Sequence, residues 1–266
     1  MRFKSLGSGS TGNATVVQCT VGSAPTTLLI DCGFGLKVLL EKLETCGLQP
    51  EDLSAIFITH EHGDHVGCVQ TLSLKYRIPV WMSAGTARAL GLNDPKIKPD
   101  KTAMAGLLNV AVDGQTIDLG RLQVTPFTVP HDAAEPLQLS CTDGIAKLGV
   151  LTDLGHATEH VFDHLKNCSA LLLEFNHDRD LLAASGYPAF LKQRVASGYG
   201  HLSNCQAVAI ARELQHNALR HVVAAHLSQQ TNRCDLVADV LAQALSCEAN
   251  DVLIASADDG CPWLDA

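Results

Sequence analysis

The sequence predicts an α/β protein made of two packed β-sheets with helices outside, a four-layer αββα sandwich. Three observations carry this. Of 266 residues, 46% are hydrophobic, enough to bury a large core. The apolar runs form two strand-rich series, each finished by helical segments. Either series alone would leave one sheet face bare, so the two are read as one domain spanning residues 1–266.

Each element has a local reason. Arg2–Leu6, Ala14–Cys19 and Thr26–Asp31 are short, apolar or β-branched, and separated by Gly, Ser and Pro turns, which predicts strands. Leu36–Thr45 repeats leucine at helical spacing. Leu53–Thr59 reads as a buried strand running straight into His60, with a helix from His65 toward Tyr76. Pro79–Ser83 is a strand and Gly85–Leu90 a short helix, and residues 92–107 lack pattern and read as a loop or lid. A second strand series follows at Leu108–Val112, Leu122–Val129, Leu137–Thr142 and Leu148–Asp153. Helix Glu159–Lys166, strand Leu171–Phe175, helices at Pro188–Ala196 and Cys205–Leu214, strand His221–Ala225, helix Leu236–Leu245 and strand Val252–Ala255 complete it.

Composition narrows function. With 19 Lys and Arg against 28 Asp and Glu, the net charge is −9. Bulk electrostatics therefore do not grip nucleic acid, although metal ions at a site can still hold phosphate. Two Trp, three Tyr and seven Phe leave few base-stacking candidates. The opening MRFKSLGSGSTGN has no apolar stretch of a secretory leader, and no transmembrane span follows, so a cytoplasmic protein without a membrane partner is expected. The ten cysteines form no C-x-x-C pair and read as buried reduced thiols.

The densest chemistry is Thr59-His60-Glu61-His62-Gly63-Asp64-His65, four potential ligands within six residues at a strand end. His60 and His62 alternate along extended chain, so they leave on one side. Asp64 and His65 fall at the turn into a helix and aim at a second point. Imidazole with carboxylate suits zinc, iron or manganese. Burying such a run without a metal would be costly.

This H-x-H-x-D-H run after a strand resembles the metallo-β-lactamase superfamily of metallohydrolases, whose sandwich fold the predicted layers match. Asp31 corresponds to its early structural aspartate, and His131, Asp153 and His226 each follow an apolar strand in the order of its later ligands. The resemblance implies that His60, His62 and His131 hold one divalent ion and that Asp64, His65 and His226 hold the other, with Asp153 between them. Two such ions, zinc or manganese with iron possible, would make hydroxide at neutral pH.

Fold and metals do not choose the substrate. Ser8-Gly9-Ser10-Thr11-Gly12-Asn13 looks like the S-G-S-x-G-N signature of the YycJ/WalJ/VicX branch, which resembles DNA exonucleases. A Gly/Ser loop can turn backbone N–H groups toward an anion, or simply be a hairpin turn. Glu174-Phe175-Asn176-His177-Asp178, Tyr187-Pro188, Leu191-Lys192-Gln193-Arg194-Val195 and Gly200-His201-Leu202-Ser203-Asn204 are similar to runs of the same branch. Ser203 or Asn204 could equally cap a helix, and Lys192 and Arg194 could equally be a solvated face.

The expected activity is a dinuclear phosphodiesterase, a 5′-to-3′ DNA exonuclease. Ser8, Ser10, Asn13, Asn176, Lys192, Arg194, Ser203 and Asn204 would be substrate contacts. Asp64 would be catalytic beside its ligand role. His201, with His177 in reserve, would protonate the leaving oxygen. The 73 positions between Asp153 and His226 are short for a β-CASP clamp domain. The chain also lacks the long arm of an RNase Z. Alternatives are a small-molecule cyclic phosphodiesterase, a glyoxalase II-like thioesterase lacking an obvious cationic glutathione pocket, and a non-catalytic protein with a dead metal site. A β-lactamase is disfavoured without an export signal.

Overall fold

The structure is a computed structural model describing residues 1–20, 25–92 and 103–266. One sheet contains β1 (Arg2–Gly7), β2 (Ala14–Cys19), β3 (Thr26–Ile30), β4 (Ala55–Phe57), β5 (Val80–Met82), β6 (Leu108–Val110) and β14 (Leu264–Asp265), in the order β14-β1-β2-β3-β4-β5-β6. The other contains β7 (Ile117–Asp118), β8 (Gln123–Thr128), β9 (Leu137–Thr142), β10 (Lys147–Leu151), β11 (Ala170–Glu174), β12 (His221–Ala225) and β13 (Leu253–Ile254), in the order β13-β12-β11-β10-β9-β8-β7.

The helices are α1 (Leu36–Thr45), α2 (Gly63–Val66), α3 (Val69–Tyr76), α4 (Ala84–Ala89), α5 (Glu159–Leu165), α6 (Arg179–Ala184), α7 (Ala189–Val195), α8 (Asn204–Glu213) and α9 (Cys234–Leu245). Phe3, Val17, Leu28 and Phe57 of the first sheet meet Val124, Leu139, Leu148 and Leu172 of the second in a core between the sheets. Leu39 and Leu43 of α1 and Leu72 of α3 cover the outer face of the first sheet. Val161 of α5, Ala207 of α8 and Leu241 of α9 cover that of the second. This is the predicted four-layer sandwich.

Strands β3 to β6 run parallel, as do β10 to β13. Strand β8 is antiparallel to β9, and β9 to β10, so β8 points the same way as β10. The residues following β8, β10, β11 and β12 therefore leave one edge of the second sheet together.

Several boundaries differ from expectation. The single helix from His65 toward Tyr76 is two, α2 and α3, because Gly67 sits at φ 25 and a Cβ there would lie 2.4 Å from the Cys32 carbonyl oxygen. Helix α6 was not foreseen; Asp178 begins it by accepting the N–H groups of Asp180 and Leu181. The two-residue edge strands β7 and β14 are too short to show a period. Most of the expected lid at 92–107 lies outside the described residues, and Ala103–Gly106 form a 3₁₀ turn. All ten cysteines are free, but Cys205, Cys234 and Cys247 are exposed and Cys46 is half-buried, so the expectation of uniform burial fails at four.

Candidate metal centre

Strand ends bring the charged residues together. Asp31, Asp153 and His226 follow β3, β10 and β12 with backbone φ of 59, 57 and 54. That left-handed region is disfavoured for non-glycine residues, and such strain collects at functional sites. The turn lets a side chain leave the end of a strand toward the edge rather than alternate across it.

Two donor sets result. His60 Nε2 lies 3.0 Å from His62 Nδ1, which lies 3.4 Å from His131 Nε2. Asp64 Oδ2 lies 3.5 Å from both His65 Nε2 and His226 Nε2. Asp153 Oδ2 is 3.1 Å from His65 Nε2, and Asp153 also groups with His60 and His65. All seven sequence-derived ligand positions are thus assembled, with Asp153 close to His65 of one set and within 4.8 Å of His60 of the other.

The far nitrogen of four of the five ligand-type histidines is held from behind. His65 Nδ1 is 2.8 Å from Asp31, and His226 Nδ1 is 3.0 Å from Glu174. His131 Nδ1 donates to the Gly200 carbonyl at 3.1 Å, and His60 Nδ1 meets the Thr59 hydroxyl at 3.0 Å. This leaves the Nε2 atoms of these four pointing inward, the arrangement that orients metal-binding imidazoles, while His62 turns Nδ1 to the cluster.

Charge follows the same plan. Burial opposes ionisation of Asp153, yet His226 and His65 hold its carboxyl well below the usual range. Asp64 is likewise held low against burial by the His226 and His65 imidazoles 3.5 Å away. Burial would lower His226, but Asp153, Asp64 and Glu174 push it up to about 10, and Asp153 and Asp31 similarly raise His65. Burial keeps His60 and His131 below their ordinary value. The acidic set demands positive charge at its centre.

Asp153 Oδ2 and His226 Nε2 are buried without a hydrogen-bond partner among the described residues. Buried polar atoms without a partner are costly unless something compensates them. Mixed N/O donors with inward lone pairs fit divalent metal ions.

Above the clusters is a cleft of about 200 Å³, walled by Ser10, Asp132, Leu191, Arg194, Val195 and His201 as well as by the ligand positions. A groove of about 700 Å³ between α5 and α8 is larger, but the donor clusters open into the smaller cleft. His201 Nδ1 is fixed by Glu174 at 2.8 Å, leaving Nε2 for the cleft. His177 instead is buried against the backbone near Ser203, outside the cleft wall, and burial lowers its pKa to about 4.

Of the other expected contacts, Ser10 and Arg194 reach the cleft, and Arg194 is paired with Asp132. The Lys192 ammonium is bonded to the Ala183 carbonyl instead. Ser8, Asn13, Asn176, Ser203 and Asn204 are buried scaffold. The Ser8 hydroxyl accepts the His226 N–H, Asn13 donates to Asp64, and Asn176 donates to the His226 carbonyl. Ser203 begins α8 in a capping box with Gln206, and Asn204 pairs with Asn232. The expected anion cradle at 8–13 is largely consumed internally. The N–H groups of Ser8, Gly9, Gly12 and Asn13 bond to Ser256, Asn13, Gly9 and Asp64 respectively.

Two residues lacked an assigned role in the sequence reading. Glu174 accepts from His201, His226 and the Leu202 N–H, and so sets both imidazoles at once. Glu61 accepts the Ala134 N–H at 2.6 Å and ties the ligand loop to the segment after His131. Glu174 ends an apolar strand, the same signal that picked out Asp153 and His226.

A family profile described as the Beta-lactamase superfamily domain matches residues 26–227. The chain belongs to the metallo-β-lactamase superfamily. Within this hydrolase family it falls in the YycJ/WalJ branch. It is 31% identical to Exodeoxyribonuclease YycJ of Bacillus anthracis over 92% of this chain and 89% of that one. It is 32% identical to Exodeoxyribonuclease WalJ of Streptococcus pneumoniae serotype 2 over 87% of this chain and 83% of that one. Among solved structures of the superfamily's fold, Zn(2+)-bound PqqB from Methylobacterium extorquens superposes with a TM-score of 0.72 at 17% identity, covering 100% of both chains. Among the described residues no helix is long and apolar enough to cross a membrane.

Proposed function

We propose that this superfamily member is a two-metal phosphodiesterase that removes nucleotides from DNA, working from the 5′ end. The observation that carries the reading is Asp153, a buried carboxylate set between two donor triads with one oxygen unpartnered. The names of the 31–32% identical relatives supply the preference for DNA. His60, His62 and His131 would hold one ion and Asp64, His65 and His226 the other, shared through Asp153. Zinc or manganese ions held there would supply phosphate neutralisation and acidify water toward ~7.

The chain's own residues do the rest. Asp31 and Glu174 keep His65 and His226 aimed inward. Arg194 meets a phosphate by exchanging its bond to Asp132. His201, locked by Glu174, presents Nε2 to the departing oxygen and gives it a proton. Helix α7 has no buried residue, and Phe190 on it and Tyr199 beyond it are 72% and 62% exposed. Both are chain neighbours of cleft residues, Leu191 and Gly200, and their exposed rings would offer faces on which terminal bases stack. The free cysteines support a cytoplasmic location.

A cleft of about 200 Å³ would also take a small cyclic phosphodiester, which is the second reading. Metal-loaded protein assayed on end-labelled DNA, a cyclic mononucleotide and S-lactoylglutathione separates these. Mononucleotide release from DNA supports the proposal. Hydrolysis of S-lactoylglutathione without action on any phosphodiester overturns it.

A further inference from the structure

A second set of metal-type donors lies on the outer face of the second sheet, apart from the cleft. His160 and His164 stand four residues apart on α5, so they share one side of the helix. Their ring centroids are 4.6 Å apart. Asp113, between β6 and β7, places Oδ1 2.9 Å from His160 Nε2. One donor atom from each of the three lies within 4.8 Å of the others.

Two of the three donors are already fixed. The Asp113 Oδ1 also accepts the Thr128 N–H at 3.3 Å. The His164 ring stacks on buried Phe127 at 5.0 Å and 14°. Burial and the neighbouring His160 lower the His164 pKa, which keeps a lone pair free at neutral pH. Zinc bonds of ~2.0–2.2 Å set tetrahedral donors roughly 3.3–3.6 Å apart, between the 2.9 Å contact and the 4.8 Å limit seen here.

We propose that Asp113, His160 and His164 form a separate mononuclear site for a borderline-soft divalent cation of the zinc class. Two imidazoles and one carboxylate favour such an ion over magnesium or calcium, which prefer all-oxygen shells. Asp113 and His160 are exposed, so water completes the fourth position. An ion there ties α5 to the β6–β7 turn and, through Asp113, to Thr128, three residues before His131. The site is therefore a brace on the strand that delivers His131 of the first donor set.

The test is a calorimetric zinc titration at pH 7.5 of protein loaded beforehand with two metal equivalents per chain, comparing wild type with His164→Ala and the less buried His160→Gln. The wild type should bind one equivalent more than either variant, and zinc at 100-fold above its Kd should raise the wild-type Tm by about 5–10 °C and the variants' less. The readout is a difference between chains with the same cleft, so it stands whether or not the cleft holds two ions. Equal stoichiometry and equal Tm shifts in all three proteins would overturn the site and leave a plain His160–Asp113 hydrogen bond.

Discussion

Replacing His201 by alanine removes an imidazole that lines the cleft outside the seven ligand positions. A positioned proton donor contributes about 10²–10⁴-fold, equivalent to about 3–5 kcal/mol at the transition state. The structural cost is separable. The variant loses the 2.8 Å bond to Glu174, a charge-assisted contact whose removal costs about 1.5–3 kcal/mol. Glu174 keeps its bonds to the Leu202 N–H and to His226, so the ligand set should stay in place. In a chain of this length the Tm should fall by about 3–12 °C, with metal content unchanged. The assay is single-turnover cleavage of end-labelled DNA beside bis-p-nitrophenyl phosphate. DNA cleavage should drop by about 10²–10⁴-fold, and the nitrophenyl ester, whose leaving group needs no proton, by less than about 10-fold. Equal losses on both substrates would refute proton donation and point to phosphate positioning. No loss on either would leave His201 a structural residue, and loss of a metal ion would make it a ligand.

Other outcomes follow from the same geometry. Asp153→Ala should lose at least one metal equivalent and nearly all hydrolysis, because Asp153 stands within reach of both donor sets; elemental analysis and the DNA assay check both. DNA binding should weaken steeply with salt, and Arg194→Gln should reduce the log–log slope by about 0.7 for one lost phosphate contact, while Lys192→Gln should leave it unchanged. His177, neutral in the fold because burial lowers its pKa to about 4, charges more readily in the unfolded chain, whose histidine pKa is about 6.5. The unfolded state therefore binds more protons between those values. Stability should fall by up to about 3 kcal/mol as pH drops from 6.5 to 4, and His177→Gln should flatten that part of a urea-denaturation pH profile.

The sequence carried the metal residues further than it carried their surroundings. His60 to His65 are close in the chain, and His131, Asp153 and His226 each follow an apolar run, so a local signal marks every one. Parallel and antiparallel order then decides that those ends meet, which chain order alone does not state. The broken α2–α3 helix depended on the approach of Cys32 to Gly67, a contact between residues 35 apart. Ser8, Asn13, Asn176, Ser203 and Asn204 were expected at the substrate because their runs resemble motifs of the YycJ/WalJ/VicX branch. They are instead spent inside the protein, since buried loops must satisfy their own backbone groups. Glu174 was quoted within a motif but not given its place behind His201 and His226. The rule that found Asp153, a carboxylate closing an apolar strand, applies to Ala170–Glu174 equally well.

The most direct measurement of the central claim is a metal titration of hydrolysis. Metal-stripped protein receives zinc or manganese in sub-stoichiometric steps while release of mononucleotides from 5′-labelled single-stranded DNA is followed. The account predicts that activity rises with the second equivalent per chain, reaches a plateau there, and never appears in Asp153→Ala. Full activity at one equivalent, or intact DNA at two or more equivalents of either metal, would contradict it.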